Sequence, residues 1–326
     1  MNKISRKRVL VVGGAGYIGG HTVDVLLDHG HKVTVYDNLT YENRYLKNVN
    51  FVYGDVRDTD RVIETARTYD VVILMAALVG DPACSVDPDL TDETNHVAIK
   101  NICQQLPKEK HVIFMSTCSV YGAQIDMLDE ESPTNPLSSY ASTKLLGEKY
   151  VKERNGTIFR LGTVYGLADT YSRVRLDLVV NVITMKAVYD KKINIFGGEQ
   201  WRPLICVKDI AGYVLEAIDE NIRGTYILSE GNYTMKMLGE LIGDMYPDVE
   251  VVFTDISFED ARNYMVNNVK AELSFKYKPI YDIQDEIEKL REVFLDGRIR
   301  NVKDSAFHNG NYIKNWVKNN NHIISE

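Results

Sequence analysis

The chain has 326 residues, enough for one large α/β domain or two of moderate size. Apolar residues make up 44% and charged residues 26%, which excludes a disordered chain, and a formal charge of -8 argues against non-specific binding to nucleic acid. No run approaches the roughly 18 apolar residues of a membrane span.

The basic run "KISRKR" followed by "VLVV" superficially imitates a secretory signal, but Gly13 and Gly14 break the apolar stretch too soon. Cys84, Cys103, Cys118 and Cys206 show neither CxxC spacing nor the density of a disulfide scaffold. The seven histidines are scattered, without a metal-ligand pattern. These features predict a reducing cytoplasm and no structural metal.

The first half alternates short β-branched runs with helical patterns, as a parallel sheet covered on both faces requires. In chain order the predicted strands are "RVLVVGG", "HKVTVYD", "NFVYGD", "DVVILMAA", "HVIFMS" and "GTIFRLG". Each is nearly continuously apolar, as a strand buried on both faces should be. Between them, "YIGGHTVDVLLDHG", "RDTDRVIETARTY", "PDLTDETNHVAIKNICQQL" and "SSYASTKLLGEKYVKERN" place apolar residues at helical spacing. The apolar run from Val112 ends in Ser116, Thr117, Cys118 and Ser119, which read as a polar loop.

After Gly166 the alternation loosens into helical "DLVVNVITMKAVYD" and turn-like "FGGEQWRP". "LICVKDIAGYVLEAIDE" then reads as strand and helix, with Asp209 placed as an N-cap. The division expected is residues 1–166 as a first domain and 167–326 mainly as a second, with about 203–222 returning to the first. The closing "HNGNYIKNWVKNNNHIISE" reads as a peripheral tail or packing arm.

Gly13, Gly16 and Gly19 stand at G-x-x-G-x-x-G spacing between a strand and a helix. That pattern serves a tight turn, close backbone approach to a pyrophosphate, and amides at a helix N-terminus. Asp37 ends the next strand, where a carboxylate accepts from ribose hydroxyls and repels a 2′-phosphate, so the spacing predicts NAD rather than NADP. Asp55, after the third strand, suits either the adenine edge or a helix cap. Tyr140 and Lys144 are four apart and share a helix face. An ammonium beside a phenol favours the phenolate, so Lys144 is expected to draw the Tyr140 pKa toward neutrality and make it a general base.

Together, the glycine turn, Asp37, "LMAA", Asn95, Thr117 and Tyr140-x-x-x-Lys144 resemble the extended short-chain dehydrogenase/reductase family of nucleotide-sugar epimerases, dehydratases and dehydrogenases. "FRLGTVYG", "RPLICVKDIAGY" and "ARNYMVNNVKAELSFKYKP" extend the resemblance over almost the whole chain. It implies an α/β fold: a Rossmann-type doubly wound parallel sheet that binds NAD, with a smaller C-terminal α/β domain over a nucleoside-diphosphate sugar. The cofactor set it implies is Gly13, Gly16, Tyr17, Ile18, Asp37, Asn38, Asp55, Val56, Ala76, Ala77, Tyr140 and Lys144.

The resemblance further assigns Tyr140 as base, Lys144 to the nicotinamide ribose, and Thr117 to the reacting sugar hydroxyl. Asn95 either organises the active-site backbone or simply satisfies buried loop groups. Arg202 and Arg262 are candidates for the substrate pyrophosphate, each with a surface salt bridge as its alternative. Asn181 is a further substrate candidate, although its helix is core-like. Met75 departs from the H-x-A pattern of many relatives, and Cys84 reads as a buried thiol.

Relatives that dehydrate a sugar carry an Asp-Glu pair directly after the threonine; here those positions are Cys118 and Ser119. A thiol and an alcohol have the wrong proton affinities for paired acid/base work. The expectation is oxidation at C4 through a 4-keto intermediate, as in a nucleotide-sugar 4-epimerase. The alternative is a 4-dehydrogenase that releases the ketone, because "AALVGDPAC", "RLDLVVN" and "ARNYMV" resemble GDP-heptose 4-dehydrogenases. A non-catalytic NAD-binding regulator would be expected to lack the Tyr140–Lys144 pair. The resemblance also implies a homodimer through the helix from Asn95 to Gln105 and the helix carrying Tyr140.

Overall fold

The apolar runs of the first half lie side by side in one parallel sheet. The computed structural model describes residues 6–42, 45–254 and 263–320. In chain order the strands are β1 (Arg8–Val12), β2 (Lys32–Asp37), β3 (Asn50–Tyr53), β4 (Val71–Leu74), β5 (His111–Thr117), β6 (Ala123–Leu128), β7 (Thr157–Leu161), β8 (Thr163–Tyr165), β9 (Lys192–Phe196), β10 (Trp201–Cys206), β11 (Gly224–Leu228), β12 (Gly231–Thr234), β13 (Glu250–Thr254) and β14 (Asn263–Val266). The large sheet has seven strands in the order β11-β7-β5-β4-β1-β2-β3, all parallel. Strand order reverses between β1 and β4, and a crevice opens at the carboxyl ends of the strands there.

The helices are α1 (Tyr17–Asp28), α2 (Thr59–Ala66), α3 (Asp81–Cys84), α4 (Pro88–Asp92), α5 (Ala98–Gln105), α6 (Ser139–Glu153), α7 (Val179–Tyr189), α8 (Val207–Asp219), α9 (Met235–Met245), α10 (Val269–Ser274), α11 (Ile283–Leu295) and α12 (Asn309–Asn320). Alternate residues of each sheet strand enter different cores, which explains why the strands read as unbroken apolar runs. Val9 and Val11 pack with Val23 and Leu26 of α1 and Ile210 and Val214 of α8. Leu10 and Val12 pack on the opposite face with Val62 of α2 and Ile99 and Ile102 of α5.

Residues after Gly166, together with β6 and β8, build smaller layers. β8, β10 and β12 form a three-stranded sheet, β9 pairs with β13, and β6 pairs with β14. Val180 and Ile183 of α7, Leu238 and Ile242 of α9, and Ile287 of α11 close their core. The chain meanwhile returns to the large sheet, with α8 against α1 and β11 beside β7.

Two local expectations are corrected. Asp209 is not an N-cap: Cys206 caps α8, and Asp209 is fully buried, accepting from Tyr277 Oη (2.7 Å) and Ile280 N (2.9 Å). The polar end of β5 is not an open loop, because strand pairing runs through Thr117 and a 3₁₀ turn, Cys118–Tyr121, follows it fully buried. Of the two expectations for the C-terminal segment, a peripheral tail or a packing arm, the second holds: α12 folds back against α3.

Candidate active site

A cavity of about 820 Å³ spans the crevice and is lined from both the large sheet and the later layers. On its sheet side Gly13 adopts φ 87°, and a Cβ there would stand 2.3 Å from Ala76 N. Only glycine lets the first turn press against Ala76 in the segment that leaves β4. Gly16 then caps α1 without a side-chain hydrogen bond. The amides of Tyr17 and Ile18 at the helix start have no intrahelical acceptor, which makes an anion cradle. Tyr17 itself is anchored by a bond from its hydroxyl to Gly166 O (2.6 Å).

Asp37 holds this turn, accepting from Ala15 N (3.1 Å) and Leu39 N (2.8 Å). Burial raises its proton affinity, against the backbone donors that lower it. Asp55 is not the cap of α2, a place taken by Asp58. It accepts from Asn38 Nδ2 (3.0 Å) and from the Arg57 guanidinium, and lines the cavity with Asn38 and Val56. Ala76 and Ala77 line it beyond the turn, and Met75 is beside them. The tight turn that glycine permits at position 13, the free helix amides and Asp37 beside them fit a dinucleotide.

The facing wall carries Thr117, Ser119, Tyr140 and Lys144. Thr117 Oγ1 accepts from Ser119 N (3.1 Å) and hydrogen-bonds Tyr140. Tyr140 and Lys144 point into the cavity from α6, as their spacing predicts. Their electrostatics differ from expectation. Burial raises the Tyr140 pKa; nearby Cys84 and Asp81 add to the rise, while Arg175 and Thr117 oppose it. Lys144 is 3% exposed, lies 4.3 Å from the Phe114 ring centroid, and is pushed down to about 8, mainly by burial. In the protein alone desolvation outweighs any pull of the ammonium on the phenol.

Cys118 and Ser119 do not share this wall. Cys118 Sγ donates to Arg160 O (3.3 Å) in a fully buried setting, so only Ser119 faces the cavity. Ser116 donates to Glu148 Oε1 (2.6 Å), which also pairs with Arg160. Cys84 is buried, donates to Leu78 O (3.4 Å), and is pushed up to about 12 by burial. Asn95 lies in a π-helical turn, Glu93–Val97, and exchanges hydrogen bonds with both backbone groups of Leu78. It therefore fixes the loop that leads to Cys84. All four cysteines are free and buried.

Arg202 is buried on the cavity wall, with one guanidinium nitrogen donating to Trp201 O (2.8 Å). Asn181 is a correction. It is fully buried and occupied with Gly166 N, Gly166 O and Arg175 O, so its amide braces the chain behind the site. Arg262 lies outside the described residues.

Sequence reasoning missed Tyr41, Glu42, Arg173, Arg175 and Tyr264, and, from the C-terminal segment, His308, Asn309 and Trp316; all line the cavity. The duplicated arginine in "SRVRLD" was the available signal. Arg175 makes two bonds to Asp177 (2.9 and 3.0 Å), while Glu42 accepts from Arg173 N. Among the described residues no His/Cys/Asp/Glu group is arranged to hold a metal.

Residues 9–228 match the model of the NAD dependent epimerase/dehydratase family. The chain belongs to that family. Within it, a Methanocaldococcus jannaschii protein provisionally named UDP-glucose 4-epimerase is 29% identical over 96% of this chain and 99% of its own. The UDP-glucose 4-epimerase of Halalkalibacterium halodurans is 38% identical over 43% of this chain and 44% of its own. The Thermus thermophilus UDP-glucose 4-epimerase complex with NAD superposes with a TM-score of 0.74 at 24% identity, covering 89% of this chain and 99% of that one. At that identity the superposition shows a shared fold. The cofactor of the family is NAD.

Proposed function

We propose that the chain is a nucleotide-sugar 4-epimerase acting through a 4-keto sugar, with UDP-linked hexoses as its substrate class. The carrying observation is that Thr117, Tyr140 and Lys144 face the dinucleotide turn across one cavity, while the residue beside them is Ser119 rather than a carboxylic acid. Relatives named UDP-glucose 4-epimerase support the reading. When bound, NAD supplies a nicotinamide that accepts a hydride from sugar C4 and returns it.

In this reading Tyr140 takes the proton of the C4 hydroxyl and later gives it back, with Thr117 orienting the oxygen. Lys144 holds the ribose beside Tyr140, and its charge opposes reprotonation of the phenolate. Arg202 meets the substrate pyrophosphate, and Ser119 and Tyr264 border the sugar. A neutral Ser119 leaves room for the keto sugar to turn over without supplying an acid for elimination. The working division is a dinucleotide-binding domain, residues 1–166 with 203–222, and a sugar-nucleotide domain built mainly from 167–326.

No helix among the described residues is long and apolar enough to cross a membrane. We further propose a homodimer through α5 and α6. These helices pack together and α6 leaves Leu146 exposed on its outer face, so light scattering should give twice the chain mass.

Incubating the purified chain with UDP-hexoses and no added NAD tests the reaction. The 4-epimer should accumulate to a fixed ratio. Bound NADH together with a released 4-keto sugar would instead establish the 4-dehydrogenase.

A further inference from the structure

The C-terminal segment is tied across the dinucleotide cavity by contacts that the reaction does not require. Asn309 is 3% exposed; its Nδ2 donates to Val79 O (2.9 Å), and its backbone amide donates to Asp177 (3.0 Å). The Arg173 guanidinium donates to Ala306 O (2.6 Å) and to Asn309 Oδ1, and it stacks on Tyr41 with 4.5 Å to the ring centroid. Tyr312 packs on the same Tyr41 ring and donates to Thr40 O (2.5 Å). A Cβ at Gly310 would stand 2.9 Å from Pro82, so glycine lets α12 approach α3 this closely.

Tyr312 and Trp316 are one helical turn apart on α12. Trp316 lines the main cavity and, with Tyr312, a side recess shared with Asn38, Thr40, Tyr53 and Asp55. Asn38 and Asp55 belong to the adenosine end of the dinucleotide site, where Asp37 stands. Tyr41 Oη is also a cavity group, buried and without a hydrogen-bond partner among the described residues. A buried hydroxyl of that kind is costly unless a ligand completes it.

We propose that residues 305–320 are a fixed cover over the adenosine half of the dinucleotide site, in which Trp316 presents its indole to the adenine. The proposal rests on the dinucleotide reading of the glycine turn. Aromatic contact with a base suits this place because it needs only a π face and excludes water from one side of the ring. A covered adenosine dissociates slowly, so one dinucleotide serves many turnovers. A reaction that returns its hydride to the same sugar can use a cofactor held in this way.

The test is retention of NAD by the full-length chain, measured as dinucleotide released on denaturation after timed dialysis. Trp316→Ala should lose NAD roughly 10- to 100-fold faster than the wild type, the range that removal of one base stack spans. Trp316→Phe should stay within a few-fold. The chain has two tryptophans, so energy transfer from tryptophan to bound NADH in Trp316→Phe reports Trp201 alone and should fall sharply.

A Trp316→Ala chain with unchanged thermal unfolding and an unchanged rate of NAD loss overturns the cover. If Trp316→Ala does not fold, unchanged energy transfer in Trp316→Phe overturns it. A wild-type chain that binds no NAD at all overturns the dinucleotide reading, and the cover with it.

Discussion

Lys144→Met should make the protein more stable at neutral pH while abolishing its proposed chemistry. Lys144 is 3% exposed, and burial depresses its pKa from 10.5 to about 8. Below pH 8 both folded and unfolded chains hold the proton, and the folded chain bears the full cost of the buried charge. Between about 8 and 10.5 the folded chain has shed a proton that the unfolded chain keeps, so stability rises with pH. Above 10.5 both states are neutral and the cost has gone. A difference of 10.5 − 8 corresponds to about 3 kcal/mol. Methionine fills similar volume and keeps a sulfur contact to Phe114, so most of that gain should survive, about 1–3 kcal/mol at pH 7. The assay is thermal unfolding of NAD-free wild type and variant at pH 7 and pH 10. The variant's advantage should be large at pH 7 and mostly gone at pH 10. A variant no more stable than wild type at pH 7, or an advantage that does not shrink with pH, refutes the argument.

Tyr140→Phe should lower turnover by about 10²–10⁴-fold while leaving NAD retention within a few-fold, because it removes the proton carrier and keeps the ring. An unchanged rate would remove Tyr140 as the base. Glu148→Ala leaves Arg160 buried without its carboxylate and takes away the acceptor of Ser116, so unfolding measurements should show a loss of about 3–5 kcal/mol. His111 is 3% exposed, bonded to Thr157 Oγ1 (2.7 Å), and depressed to about 3 by burial. Below pH 6.5 the unfolded chain binds a proton that the folded chain refuses, so stability should fall by up to about 1.4 kcal/mol per pH unit from this residue. His111→Asn should flatten that slope when unfolding is followed from pH 7 to pH 5.

The parts of the site that were legible in the sequence are local ones. Gly13, Gly16 and Asp37 could be read because a strand, a turn and a helix start fix their relation within a few dozen residues. Tyr140 and Lys144 could be read because one helical turn separates them. What was not legible depends on long-range packing. Trp316 and Asn38 share a recess although 278 positions separate them, which no spacing rule reports. The orientation of Cys118 is set by a 3₁₀ turn, so the thiol that replaces a carboxylate in sequence never reaches the cavity. Asn181 looked available on a core-like helix, yet Gly166 and Arg175 already occupy its amide. The proton affinities of Tyr140 and Lys144 follow chiefly from burial, which their spacing does not encode.

The most direct test of the proposed reaction is the fate of the hydrogen on sugar C4. A UDP-hexose carrying deuterium at C4 should be converted by the chain, without added NAD, into its 4-epimer with the deuterium still at C4. No solvent hydrogen should enter that position. Loss of the label from the epimer, or a 4-keto product accompanied by deuterated NADH, would contradict a hydride taken from and returned to the same sugar.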